Sequence, residues 1–214
     1  MRISGALAND TALGVPLAAA AVLAVAFAVS PPLPARAANV KPPSVPAILE
    51  VTDGKPFLVG HAVGTQNYVC LPSASGFSWM LFGPQATLFD DQDKQVATHF
   101  LSRNPDEAGL PRATWQHSRD TSTIWAVAIQ IYTEPDFVAP GAIPWLLLDV
   151  VGAEDGTGAG KLFPTTFIQR INTSDGVAPT TGCSAPADVG QRALVPYTAD
   201  YIFYKVPPRG NDGD

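Results

Sequence analysis

Cysteine is scarce in this sequence, with Cys70 and Cys183 the only two among 214 residues. They do not form Cys-x-x-Cys, which excludes the usual dithiol redox motif. Histidine is hardly commoner: His61, His99 and His117 are the whole supply. No pair of them has the spacing of a helical His-Glu-x-x-His zinc site or of a His-x-His strand pair. Positive charge is short as well, 13 Lys and Arg against 19 Asp and Glu, for a net charge of −6. Recognition of nucleic acid needs clustered Lys and Arg to neutralise phosphate, so that partner class is excluded. No basic amphipathic stretch suggests a membrane-surface helix either.

Complete catalytic and nucleotide motifs are missing too. Gly156-Thr157-Gly158-Ala159-Gly160-Lys161 fails as a phosphate loop, because Asp155 stands where the first Gly belongs and Leu162 where Ser or Thr belongs. A dinucleotide fingerprint fails at Lys161, and the neighbouring Glu154 and Asp155 would repel phosphate. A flexible turn between strands is the better reading, and no nucleotide or other cofactor is expected. There is no Gly-x-Ser-x-Gly elbow, and Ser75 and Ser118 read as ordinary loop serines. The acids Asp90, Asp91, Asp93, Glu134 and Asp136 flank turns and read as solvated.

What is present begins with an apolar run over Val15–Val29, ended by Ser30-Pro31-Pro32 and followed by Ala35-Arg36-Ala37. This fits an export signal over residues 1–37, with an uncleaved anchor as the alternative. The expected location is secreted or periplasmic, with membrane contact only through that leader. In an oxidising compartment Cys70 and Cys183 can join, closing a loop over most of the domain and adding roughly 4–5 kcal/mol in the chain-entropy model. Two unpaired buried thiols are the other possibility. Asn172-Thr173-Ser174 matches a glycosylation sequon that only a eukaryotic secretory route would use.

After a Pro-rich lead-in at 38–46, one β domain is expected over 47–206, then a flexible tail at 207–214. Runs of β-branched and aromatic residues at Phe57–Val63, Gln66–Leu71, Phe77–Phe82, Gln85–Phe89, Gln95–Phe100, Ile124–Tyr132, Trp145–Val151, Phe163–Ile171 and Pro196–Val206 read as strands. Past the leader no segment keeps a helical apolar period, and Pro105 and Pro111 break the polar stretch Ser102–Arg112. The fold class is all-β: a single antiparallel β-sandwich or barrel-like domain with one long-range disulfide. On the last strand Tyr197, Ala199, Tyr201 and Phe203 share a face.

Two constellations deserve a chemical reading. His99 and His117, with Asp120 or Asp91, would make a two-His, one-carboxylate metal site if their strands are neighbours. Of the tryptophans, Trp125 and Trp145 lie in apolar runs and read as core. Trp115 has polar neighbours from Gln116 to Asp120 and is the better candidate among them for a surface role, although structural packing is the favoured reading.

Several segments together resemble the family catalogued as domain of unknown function 3455, of exported bacterial and secreted fungal proteins. They are Gly64–Cys70, Ala86–Asp90, His99, Trp115, Ile143–Leu148, Ile168–Thr173, Gly176–Pro179, Cys183 and Val195–Tyr204. The resemblance implies export and one compact domain, without an established activity. Relatives have a short His-to-Trp link ending Gly-Pro-Thr-Trp, whereas here Phe100–Thr114 intervenes.

The shared positions Gln66, Tyr68, His99 and Trp115, with His117 nearby, are the candidate ligand-binding set. Gln169-Arg170 beside Asp200 suggests a partly buried ion pair. The leading expectation is a non-enzymatic exported domain that binds a small molecule or an envelope component. The rivals are a metal-dependent extracytoplasmic enzyme using His99, His117 and a carboxylate, and a structural cell-surface protein.

Overall fold

The computed structural model describes residues 40–206, apart from Pro42 and Ala159. The leader at 1–37 and the tail at 207–214 lie outside the described residues. Eight strands run in chain order: β1 Lys55–Ser73, β2 Gly76–Phe89, β3 Gln95–Asn104, β4 Leu110–His117, β5 Thr123–Tyr132, β6 Trp145–Glu154, β7 Phe167–Asp175 and β8 Arg192–Lys205. Each pairs antiparallel with the next, and β8 returns to pair with β1, so the sheet closes into a barrel. Between sandwich and barrel, the barrel is what forms.

Some expected strands are segments of longer ones. Phe57–Val63 and Gln66–Leu71 join as β1, which absorbs the polar Gly64-Thr65 step and a bulge between Asn67 and Tyr68. Phe77–Phe82 and Gln85–Phe89 likewise join as β2 across Gly83-Pro84. The sequence Ser102–Arg112, read as irregular, ends β3, makes a short 3-10 turn at Pro105–Glu107 and starts β4. Asn104 caps that turn, its side chain accepting from the Asp106 amide.

Small and large side chains alternate across the barrel's interior. Ala62, Ala86, Ala97, Ala126 and Ala199 leave room for Leu88, Trp115, Ile124, Tyr197, Tyr201 and Phe203, all buried. An eight-stranded barrel is just wide enough to be filled this way. Gly64 is required at its place on β1, because a Cβ there would come to 2.5 Å from Ala86 Cα. Burying each large side chain contributes about 1.5–3 kcal/mol.

A second apolar layer lies outside the wall. Trp145, Leu147, Ile171, Ile202 and Tyr204 point outward from β6, β7 and β8, under Leu49, Val138 and Ala142. Gln169 fastens this cover, donating to Leu49 O at 2.6 Å and accepting from the Tyr204 hydroxyl at 2.7 Å.

Each end of the barrel has its own closure. At one end Asp120 accepts from Ser122 N, Ser122 Oγ and Lys161 N at 2.9, 2.6 and 2.9 Å. This ties the glycine-rich β6–β7 loop down and seats Leu162 in the core. The former phosphate-loop candidate is thus a plug. At the other end Cys70 and Cys183 are joined, 113 positions apart in sequence, with Cα atoms 5.5 Å apart. The bridge holds the β7–β8 loop to β1, and Trp79 Nε1 donates to Thr181 O at 2.9 Å beside it.

Candidate functional site

His99 on β3 and Trp115 on β4 are direct cross-strand partners. The long Phe100–Thr114 link therefore folds as a hairpin that brings its two ends together. Their rings stack with centroids 4.1 Å apart and 10° between planes. Tyr201 meets both edge-on, at 5.2 and 5.4 Å. Trp115 is 0 % exposed, so the surface role considered for it is not what it has; packing is. Inward parity decides this, since Trp115 lies opposite His99 while Thr114 and Gln116 point outward.

His99 Nδ1 lies 2.9 Å from Thr114 O. A carbonyl only accepts, so Nδ1 carries the hydrogen and Nε2 is the free base. Burial pushes the imidazole pKa down to about 3, opposed by the Thr114 carbonyl and assisted by the charge of Arg170. His99 is neutral across the physiological range.

Gln66, Tyr68, Arg170 and Tyr197 complete the interior group. Gln66 is 2 % exposed and its Nε2 has no hydrogen-bond partner among the described residues; neither has Trp115 Nε1. Leaving such a buried donor unpaired costs about 1–3 kcal/mol. Tyr68 donates to Gly176 O at 2.8 Å, and the Tyr197 and Tyr201 hydroxyls are 3.3 Å apart. Gly176 has φ +87°, and a Cβ there would press on Tyr197 Cβ at 2.8 Å. Burial raises the pKa of Tyr68, Tyr197 and Tyr201, so all three stay protonated.

Arg170 does not pair with Asp200. In register it faces Tyr201, while Asp200 faces Ile171, so the two side chains leave opposite sides of the wall. Arg170 turns inward and donates to Pro144 O through Nε at 3.1 Å and Nη2 at 2.8 Å. Asp200 turns outward to His61 Nδ1 at 2.6 Å and Asn172 Nδ2 at 2.7 Å. The alternation of Ile168 and Arg170 with Gln169 and Ile171 carries this signal in the sequence.

The three histidines stand in three separate settings. His61 lies outside, between Asp200 and Asp91, the latter 2.9 Å from Nε2. His117 is mostly buried, and its Nδ1 is 2.8 Å from Asp120 Oδ2 at the plugged end. His99 is committed to its stack. Among the described residues no group of three or more His, Cys, Asp or Glu side chains is arranged to hold a metal ion.

Beside His99, where β2 and β3 part, lies a feature not anticipated from the sequence. The pairing of β2 with β3 stops at Ala86 and His99; beyond it β2 stays with β1 while β3 continues with β4. That parting opens a groove of about 700 Å³. Thr65, Asn67, Gln85 and Thr98 supply hydroxyls and amides along it, with Phe82 and Phe100 among its apolar walls. No acidic or basic side chain lines it apart from the neutral His99. Val63, Phe82 and Leu101 at its sides are 59 %, 64 % and 40 % exposed. The clue was the outward set on the same strands, interleaved with the buried one.

Among the described residues no helix is long and apolar enough to cross a membrane. Neither a curated protein nor a solved structure matches this chain. A family model does match, over residues 51–205, and that span takes in all eight strands of the barrel. The chain belongs to the family described as protein of unknown function (DUF3455).

Proposed function

We propose that this is an exported, non-enzymatic binding protein that holds an uncharged, hydroxyl-bearing ligand, such as a neutral saccharide, in the β1–β2–β3 groove. The groove carries the reading. It is an open trough of about 700 Å³ without a charged wall, on a chain whose net charge is −6. Side-chain hydroxyls and amides offer both donors and acceptors, and aromatic faces offer an apolar platform. Exposed apolar side chains grouped on one surface mark a binding face more often than scattered ones do. Export is supported by the leader sequence and by the Cys70–Cys183 bridge, which suits an oxidising compartment.

The metal-enzyme alternative has less behind it, since His99 gives one nitrogen to Thr114 O and stacks the ring face on Trp115. The burial of His99 and Trp115 speaks for a structural role of that pair, and the adjoining groove speaks for binding as well.

Calorimetric titration of the exported protein with neutral gluco- and N-acetylglucosamine oligosaccharides, beside an acidic uronate oligomer, tests the proposal. A neutral oligosaccharide is expected to bind, with affinity falling about tenfold or more in Phe82→Ala and in Thr98→Lys. Both changes are at the surface of the sheet and should leave the circular dichroism spectrum as it is. Binding of the acidic oligomer alone, or neutral binding unaffected by both substitutions, would overturn it.

A further inference from the structure

We infer that the barrel interior around Arg170 is a receptor for a small carboxylate anion. The observations concern the inner side of the wall, which shares His99 alone with the groove.

Arg170 is a half-buried cation without a counter-charge. Its hydrogen-bond acceptor is a carbonyl, Pro144 O, and among the described residues no carboxylate lies within ion-pair distance of it. The acids nearest in sequence are engaged elsewhere: Asp175 receives the Ser174 hydroxyl, and Asp200 faces outward to His61 and Asn172. Arg170 faces Tyr201 across the β7–β8 register, and Tyr201 in turn touches His99 and Tyr197. None of these neutral groups can balance it.

The same region has too many donors. Gln66 Nε2 and Trp115 Nε1 are buried with nothing to donate to. Trp115 reaches the cluster through its stack on His99 and its edge contact with Tyr201. Gln66 borders it through the Gly176 and Tyr197 contact. A polar amide and an indole N–H kept in a core next to an uncompensated guanidinium call for an acceptor-rich, negatively charged visitor. A carboxylate supplies two acceptor oxygens and the missing charge in one small group. A water molecule would answer the donors and leave the charge unmet. Access is from the end where β7 runs to Gly176, since Tyr68 and Arg170 are only half-buried there.

The test follows the tryptophan indole N–H resonances of the whole exported protein by nitrogen-15 NMR, with the Trp115 signal identified from Trp115→Phe. Sodium acetate and formate are titrated against sodium chloride at equal ionic strength, with acetamide as the neutral isostere. Acetate or formate should shift the Trp115 indole signal saturably, and acetamide should not. Arg170→Met should abolish the effect. Gln66→Leu, which deletes a buried Nε2 with no partner among the described residues, should keep the native melting temperature or raise it while weakening the anion about tenfold. Neither substitution should alter oligosaccharide binding at the groove, which separates this inference from the preceding one. An acetate effect equal in Arg170→Met, an equal response to acetamide, or no saturable response to either anion would overturn it.

Discussion

Removing the bridge between Cys70 and Cys183 by the double substitution Cys70→Ala and Cys183→Ala should cost stability chiefly through the unfolded chain. The loop it closes spans 113 positions, for which the chain-entropy relation gives about 4.8 kcal/mol at 25 °C. The folded state has its own fastenings at this place. Cys70 N donates to Gln191 O and Gly190 N to Cys70 O, each at 2.9 Å, and Trp79 Nε1 holds Thr181 O. The β7–β8 loop should therefore stay docked, and the native spectrum should survive. Replacing the buried Cys70 side chain by Ala adds a small packing loss of about 1 kcal/mol. Urea denaturation of oxidised and bridge-free protein is the assay. The midpoint should fall, and the slope with urea should rise, because an unlinked denatured chain exposes more surface. A loss below about 1 kcal/mol with an unchanged slope would refute the chain-entropy reasoning, and would place the bridge's value in native contacts or nowhere.

The two perturbed histidines make opposite predictions for pH. The Asp91 and Asp200 carboxylates raise the His61 pKa above its ordinary 6.5. His61 therefore adds stability that is complete below 6.5 and lost as pH rises through the raised folded value; His61→Gln should remove that alkaline decline in a melting-temperature profile. His99 has its pKa lowered to about 3, so between that value and 6.5 the unfolded chain takes up a proton that the folded chain refuses. Stability should fall as pH drops through this window. His99→Phe should flatten the fall, at a cost of about 1–3 kcal/mol near pH 7 for the bond to Thr114 O, whose carbonyl is left without the imidazole. An unchanged acid profile in that variant would show that other groups set it.

Much of the barrel was readable because strand composition and turn residues are local signals. Ile124–Tyr132 stands where its composition puts it, and the face shared by Tyr197, Ala199, Tyr201 and Phe203 where alternation puts it. Strand ends were less legible. Gly64-Thr65 and Gly83-Pro84 look like breaks in one dimension, yet β2 and β8 carry the chain through the first and β1 carries it through the second. The β4 strand at Leu110–His117 was hidden by Pro111 and Arg112, and it forms because β3 pairs with it across the hairpin. Closure of β8 onto β1 is a long-range register that no local pattern states.

The candidate residues were legible in kind more than in place. His99, Trp115, Gln66 and Tyr68 do gather inside the barrel, with His99 and Trp115 stacked on each other. Nearness in sequence suggests Asp200 as the partner of Arg170, whereas strand parity from Ile168 onward puts the two on opposite faces. The groove went unseen since it depends on where the β2–β3 pairing stops, a property of the assembled sheet.

That an uncharged ligand sits on the outside of β1, β2 and β3 is tested most directly by mapping a bound neutral oligosaccharide onto the backbone and side-chain amide resonances. Perturbations are expected to concentrate at Thr65, Asn67, Gln85, Thr98 and Phe100, with the plugged end around Asp120 and Lys161 silent. Perturbations confined to that end, or a panel of neutral oligosaccharides that moves no groove resonance, would contradict it.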